Sequence, residues 1–198
     1  MSAVTLSDVW PQGDRPLTVD DLHRLPDDGN RYELVDGVLE VSPPPLNNHN
    51  LVATRLASML SMHCPDDLAV LSGNGVNFAQ DHLRIPDVIV VRYEWVEPTD
   101  FIECPPLLAI EVASKSTRKR DRTVKKREYE AFGIASYWIV EPDHNRPNLT
   151  VFELNDTGYD QAALVSGSET FHAERPFPIT IVPALLVQSG NAWKAGLA

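Results

Sequence analysis

The sequence holds only two cysteines, Cys64 and Cys104, among 198 residues. Two are too few for a disulfide scaffold and have no metal-site spacing, so two reduced thiols are expected. No apolar run approaches the roughly 18–20 residues that cross a bilayer. Met1 to Arg15 lacks the basic start and apolar stretch of a signal peptide, which sets the expectation of a cytoplasmic chain with no membrane partner. The histidines, at 23, 49, 63, 82, 144 and 172, form no i,i+4 zinc pair, and no Ser/His/Asp or Cys/His arrangement stands out. There is no glycine-rich phosphate loop and no internal repeat. Positive charge is short as well: 17 Lys and Arg face 28 Asp and Glu, for a net charge of −11. That balance argues against a chain that coats nucleic acid through its overall charge, and leaves open a local basic site.

What is present is an ordinary globular composition, 43% apolar and 23% charged, at a length that suits one domain. Residues 1–15 show no periodicity and read as a loose arm, 16–188 as the domain, and 189–198 as a tail. Thr18 caps a short helix that stops before Pro26. Residues 31–42 read as a hairpin around Asp36-Gly37, a strong two-residue turn signal. Leu46 to Met62 has helical periodicity. A second hairpin is expected, 68–71 with 76–78 around Gly73-Asn74-Gly75. Ile85 to Val91 and Leu107 to Ala113 are buried strands, separated by a long loop. Lys119 to Phe132 is a helix closed by Gly133. Strands follow at 137–140 and 149–154, then further β segments, and a short helix over 182–187. The strand at 110–113, the helix and the strand at 137–140 form a crossover unit joining parallel neighbours. The fold class is therefore α/β in the broad sense, an α+β mixed sheet with N-terminal hairpins and flanking helices.

Two carboxylates resist a purely structural account. Asp87 opens the strand Val88-Ile89-Val90-Val91, and Glu111 lies between Leu107–Ile110 and Val112-Ala113. A carboxylate buried in an apolar sheet costs several kcal/mol unless it is paired or binds a metal. Asp87 could instead face water at its strand end, and Glu111 could belong to a structural ion pair. On the helix, Val124, Tyr129, Ala131 and Phe132 define one face at about 100° per residue, and Asp121 and Lys125 fall within it. Lys126, Arg127, Arg122 and Glu130 fall on or near the other side, so Lys125 points to the sheet and Lys126 to solvent. Two carboxylates and a lysine at a sheet edge suit metal-dependent phosphodiester chemistry with hard oxygen ligands for Mg²⁺ or Mn²⁺.

These residues resemble a known family. Pro86-Asp87 followed by Glu111-Val112 is the pattern of the PD-(D/E)XK nucleases, with the restriction-endonuclease-like fold. Several further motifs resemble the Uma2 branch of putative endonucleases. They are Tyr32-Glu33-Leu34-Val35-Asp36-Gly37, Ser42-Pro43-Pro44 with His49, Glu111 to Thr117, Asp121 with Lys125 and Tyr129, Gly133, and Tyr137 to Pro142. The match runs from about residue 18 to 155. It implies a metal-dependent endonuclease that hydrolyses DNA phosphodiester bonds, with Asp87 and Glu111 as metal ligands, the Val112 carbonyl as a third, and Glu33 as an additional acidic residue. Glu33 as an exposed hairpin glutamate is the alternative. The usual superfamily lysine lies two residues after the glutamate, where this chain has Ala113; the resemblance and the helical-face argument both transfer its role to Lys125. Lys115 stands where the branch typically has proline, as a surface residue or a phosphate contact. His49 reads as a hydrogen-bonding residue at a helix start, Tyr129 as core, and Asp121 as a partner that orients Lys125.

Residues 115–127 carry eight of the 17 basic side chains against one acid, Asp121, so the segment is +7 and the remainder −18. Lys115, Arg118, Lys119, Arg120, Arg122 and Lys126 are thus the expected nucleic-acid contacts. Superfamily members often pair to cut both strands, which admits a homodimer, although no sequence feature marks its surface. The other readings are a binding module on a nuclease fold with little or no catalysis, since a displaced lysine could be a lost one, and a metal-free domain in which Glu111 and Lys125 form a buried salt bridge.

Overall fold

The computed structural model describes residues 15–96, 100–191 and 193–194. The arm expected over 1–15 therefore lies outside the described residues except for Arg15, which pairs with Asp21 at 2.8 Å. After the short helix α1 (Val19–Leu22) come β1 (Arg31–Val35) and β2 (Val38–Ser42), the expected hairpin, with Val35 opposite Val38 and Glu33 opposite Glu40. The turn needs left-handed backbone at both central residues, and Asp36 and Gly37 have φ of 50° and 74°. Helix α2 (Asn47–His63) buries Val52, Leu56, Met59 and Leu60 along one stripe.

The expected second hairpin does not form. β3 (Leu68–Ser72) pairs with β6 (Val88–Arg92) in one sheet, whereas β4 (Val76–Ala79) pairs with β5 (His82–Arg84) in another. Gly73-Asn74-Gly75 thus carries the chain between sheets rather than around a hairpin. Gly75 is required there by packing, because a Cβ on it would stand 2.5 Å from the Phe101 ring.

The main sheet has six strands in the order β10-β9-β8-β7-β6-β3. Its members β7 (Leu108–Val112) and β8 (Ser136–Glu141) are parallel and joined by the expected crossover. The crossover is α3 (Arg118–Arg120), a π-helical turn (Asp121–Lys125) and α4 (Lys126–Phe132), closed by Gly133 at φ 91°. β9 (Asn148–Asn155) and β10 (Gly158–Ser166) complete that side. A smaller sheet, β2-β1-β5-β4, packs beside it, and β11 (Phe171–Ala173) with β12 (Ile179–Ile181) forms a ribbon before helix α5 (Pro183–Val187). The architecture is α+β with a mixed main sheet.

Alternation sends the two faces of the main sheet to two cores. Val88, Val90, Leu108, Ile110 and Val112 join α2, α5 and the β11–β12 ribbon. Ile89, Val91, Ala109, Ala113, Tyr137 and Ile139 face the crossover helix through Tyr129 and Ile134. Trp193, within the segment expected as a tail, packs against the first of these cores and lies 5.7 Å from the Arg55 guanidinium. No helix of the described residues is long and apolar enough to cross a membrane.

Candidate active site

Strand pairing builds the floor of the site. β6 and β7 run antiparallel with Val88 opposite Ile110, and the Asp87 N–H donates to the Ile110 carbonyl at 3.0 Å. The same register sets Asp87 against Glu111 on neighbouring strands, and period-two alternation turns both toward the crossover-helix face. Both carboxylates are buried, Asp87 at 3% and Glu111 at 4% exposure.

The helix above supplies the cation. Lys125 Nζ donates to Glu111 Oε1 at 2.7 Å and to Glu33 Oε1 at 3.0 Å, and Tyr129 donates its hydroxyl to Glu111 Oε1 at 2.6 Å. The buried salt bridge foreseen between Glu111 and Lys125 is therefore present. Asp121, Lys125 and Tyr129 form the buried column of the helix, whereas Val124 is 44% exposed and Ala131 is also exposed. The expected apolar face thus has the wrong members. The π turn adds residues to one winding and shifts the phase, and Tyr137 donates its hydroxyl to the Asp121 carbonyl at 3.0 Å within that turn.

Glu33 reaches the same place from the small sheet. It is buried rather than an exposed hairpin glutamate, and it accepts from Lys125, from the Ile85 N–H at 2.9 Å and from Arg84 at 3.1 Å. His49 does not serve the helix start: its Nε2 lies 3.1 Å from Asp87 Oδ2, while its Nδ1 is buried and has no hydrogen-bond partner among the described residues. Asp121 makes no ion pair with Lys125; its Oδ1 is buried and has no hydrogen-bond partner among the described residues. Its influence on Lys125 is through charge alone.

Two arginines complete the constellation, and neither stood out in the sequence. Arg31, two residues before Glu33 on the same strand face, donates to Asp87 Oδ1 at 2.8 Å. Arg84 is fully buried among Glu33, Glu40 and Glu128. A signal for Arg84 existed, since the Asp36-Gly37 turn dictates that Glu33 opposes Glu40, and like charges in register need a cation between them.

Burial dominates the electrostatics and is answered differently at each carboxylate. Burial would raise the Asp87 pKa, but His49, Arg31 and the Val112 N–H, which donates at 2.7 Å, hold it at about 2. Burial together with the charges of Asp87, Asp121 and Glu33 outweighs Lys125 at Glu111, whose pKa rises. Burial would lower the Lys125 pKa, but Glu111 and Glu33 drive it up and favour the charged ammonium.

Arg31, Glu33, His49, Asp87, Glu111, Val112, Asp121 and Lys125 all line one cavity of about 780 Å³. Among the described residues no three His, Cys, Asp or Glu side chains are already arranged around a metal position. The donor chemistry nevertheless fits a divalent cation. Glu33, Asp87, Glu111 and Asp121 supply hard carboxylate oxygens to one cavity, and Glu111 Oε2 has no hydrogen-bond partner among the described residues.

The basic segment divides. Lys115, Arg118 and Arg120 line the cavity. Arg118 and Arg122 pair with Glu141 at 3.4 and 2.8 Å, and Arg120 with Glu40 at 2.9 Å. Lys119 lies outside the cavity lining. Lys126 does not extend into solvent; it lies over the rings of Phe152 and Tyr159, 4.9 and 5.8 Å from their centroids, away from the cavity.

Comparison with known proteins agrees with this architecture. The chain is similar to a solved structure from Anabaena variabilis ATCC 29413, titled as a putative nuclease belonging to DUF820, with a TM-score of 0.63 at 19% identity, over 81% of this chain and 90% of that one. No curated protein matches. The model of the Uma2 family, described as "Putative restriction endonuclease", matches residues 19–187 and takes in Glu33, Asp87, Glu111 and Lys125. The chain belongs to the Uma2 family.

Proposed function

We propose that this protein is a divalent-metal-dependent endonuclease that hydrolyses DNA phosphodiester bonds. The observation that carries the reading is the pairing of Asp87 with Glu111 on adjoining strands, beneath a lysine ammonium, in one cavity. Asp87 and Glu111, with the Val112 carbonyl, would hold Mg²⁺ or Mn²⁺, which when bound polarises a phosphoryl oxygen and lowers the pKa of a bound water.

The remaining roles belong to the chain itself. Tyr129 and Lys125 hold Glu111 Oε1 and leave Oε2 for the cavity. Lys125 stays protonated, so it orients the attacking water as a donor and offsets charge that develops on the phosphoryl oxygens. Glu33 positions that ammonium from the side opposite its own pairing with Arg84. Arg31 neutralises Asp87 and stands where a phosphate oxygen can be received. His49 fixes the other oxygen of Asp87.

The test is incubation of purified protein with plasmid and single-stranded DNA, with Mg²⁺ or Mn²⁺, beside Asp87→Asn and Lys125→Ala. Cleavage confined to the unaltered chain supports the reading; equal residual cleavage in all three is contamination and rejects it. A second reading is favoured by one observation: Asp87 and Glu111 already have protein donors, as a binding module without catalysis would retain. Titration calorimetry separates the two. Absence of Mn²⁺ binding, with DNA binding unchanged by Asp87→Asn, selects the binding module.

A further inference from the structure

The cavity is lined by two chemically different surfaces. One comes from the link between β2 and α2, where Pro43, Pro44, Pro45 and Leu46 contribute apolar lining. Leu46 is 81% exposed and extended, with φ −67° and ψ 155°. The other comes from the crossover, where Lys115, Arg118 and Arg120 contribute cations. The three successive prolines fix their own φ near −65°, so the apolar surface is stiff. Asn48 donates to the Pro142 carbonyl at 3.1 Å and ties the start of α2 to the segment after β8, which bounds the cavity on that side. Asn48 and Pro142 both line it.

Beyond Pro45 and Arg31 the lining passes into a second groove of about 350 Å³, where Leu22, Tyr32, Leu83, Ile85 and Phe101 continue the apolar surface. Arg31 and Pro45 belong to both spaces. A track that is apolar along one surface and cationic along another, with Glu33, Asp87, Glu111 and Asp121 buried and Asp143 exposed near Lys115 and Arg118, matches one form of polynucleotide. A duplex stacks its bases inside and shows backbone to whatever surrounds it. A single strand shows base faces and phosphates together. A cavity of about 780 Å³ is also the size of a small-molecule pocket, which takes a nucleotide or two at a time.

We infer that the cavity selects single-stranded DNA, its phosphates on Lys115, Arg118 and Arg120 and its bases on the proline–leucine surface. The inference rests on the nuclease reading above and names the substrate form. Its test measures fluorescence anisotropy of a labelled DNA oligonucleotide of about 20 nucleotides, single-stranded and as the same sequence in duplex, in EDTA so that binding is read apart from cleavage. The single strand should bind at least about tenfold more tightly than the duplex. Leu46→Ser, an exposed change at a helix N-cap position, should weaken single-strand binding several-fold and leave duplex binding as it was. Lys115→Ala should weaken both. Equal or tighter duplex binding overturns the inference, as does a Leu46→Ser variant that binds the single strand like the unaltered chain. Cleavage then separates the two claims. Duplex cut as fast as single strand, in a manner lost with Asp87→Asn, overturns the inference and leaves the nuclease reading intact. Preferential single-strand binding with neither form cut supports the inference and removes the catalytic reading.

Discussion

Arg84 has no exposed surface, yet its guanidinium meets three carboxylates: Glu33 at 3.1 Å, Glu40 at 2.8 Å and Glu128 at 2.8 Å. A planar fork is what three separate acids require, and a lysine cannot replace it. Arg84→Met should destabilise the protein by about 3–5 kcal/mol, read by urea denaturation, because it strands buried acids without their cation. Glu128 carries the pH dependence of this network. Burial would raise its pKa, but His82 and Arg84 hold it at about 2, below its ordinary 4.5. A folded pKa below the unfolded one gives stability that is complete above about pH 4.5 and is lost as pH falls toward about 2. Acid unfolding should therefore steepen in that window. Glu128→Gln, which keeps the shape but not the charge, should flatten the profile there and cost about 2 kcal/mol at neutral pH. At this scale the sequence revealed Asp87, Glu111 and Lys125, because each contradicts an apolar or solvent-facing neighbourhood. It concealed Arg31, and it named His49 without its partner, since a basic residue at a strand start is ordinary and nothing local ties a histidine in a first helical turn to Asp87 until the fold brings them together.

The hairpin β1–β2 is the element that carries Arg31 and Glu33 to the site, and its turn has little tolerance. Gly37 has φ 74°, and a Cβ there would run into Pro16. Gly37→Ala should cost about 1–3 kcal/mol in thermal unfolding, and reduce activity more than stability because the misplaced side chains are those of the site. That hairpin was legible because Asp-Gly is a local signal. The hairpin read around Gly73-Asn74-Gly75 was not real, for a physical reason: β3 and β4 each have the apolar content of a strand, but their partners, β6 and β5, lie further along the chain. Local composition shows that a segment is extended and not which strand it meets. The crossover helix was legible in extent, and Gly133 closes it as expected. Its π turn was not, because hydrophobic periodicity over so few residues averages through one widened winding.

At the scale of the whole molecule, the net −11 conceals the +7 of residues 115–127. Within the fold that basic segment is largely answered by acids, with Arg118 and Arg122 on Glu141, Arg120 on Glu40 and Lys125 on Glu111 and Glu33. Only Lys115, Arg118 and Arg120 of the six expected contacts line the cavity. Binding of single-stranded DNA should then release few counterions. A plot of log affinity against log salt should have a slope of about −2, set by three cations at about −0.7 each. A slope much steeper would mean that Lys119, Arg122 and Lys126 also meet the backbone. The site itself is assembled from Arg31 and Glu33, His49, Arg84 and Asp87, Glu111, and Lys125 with Tyr129, five stretches of chain widely separated in sequence. The ammonium comes last. During translation, a ribosome must deliver the chain past Lys125 and Tyr129 before Glu111 acquires its two partners, so a prematurely terminated product ending before Lys125 holds Glu111 without either of them.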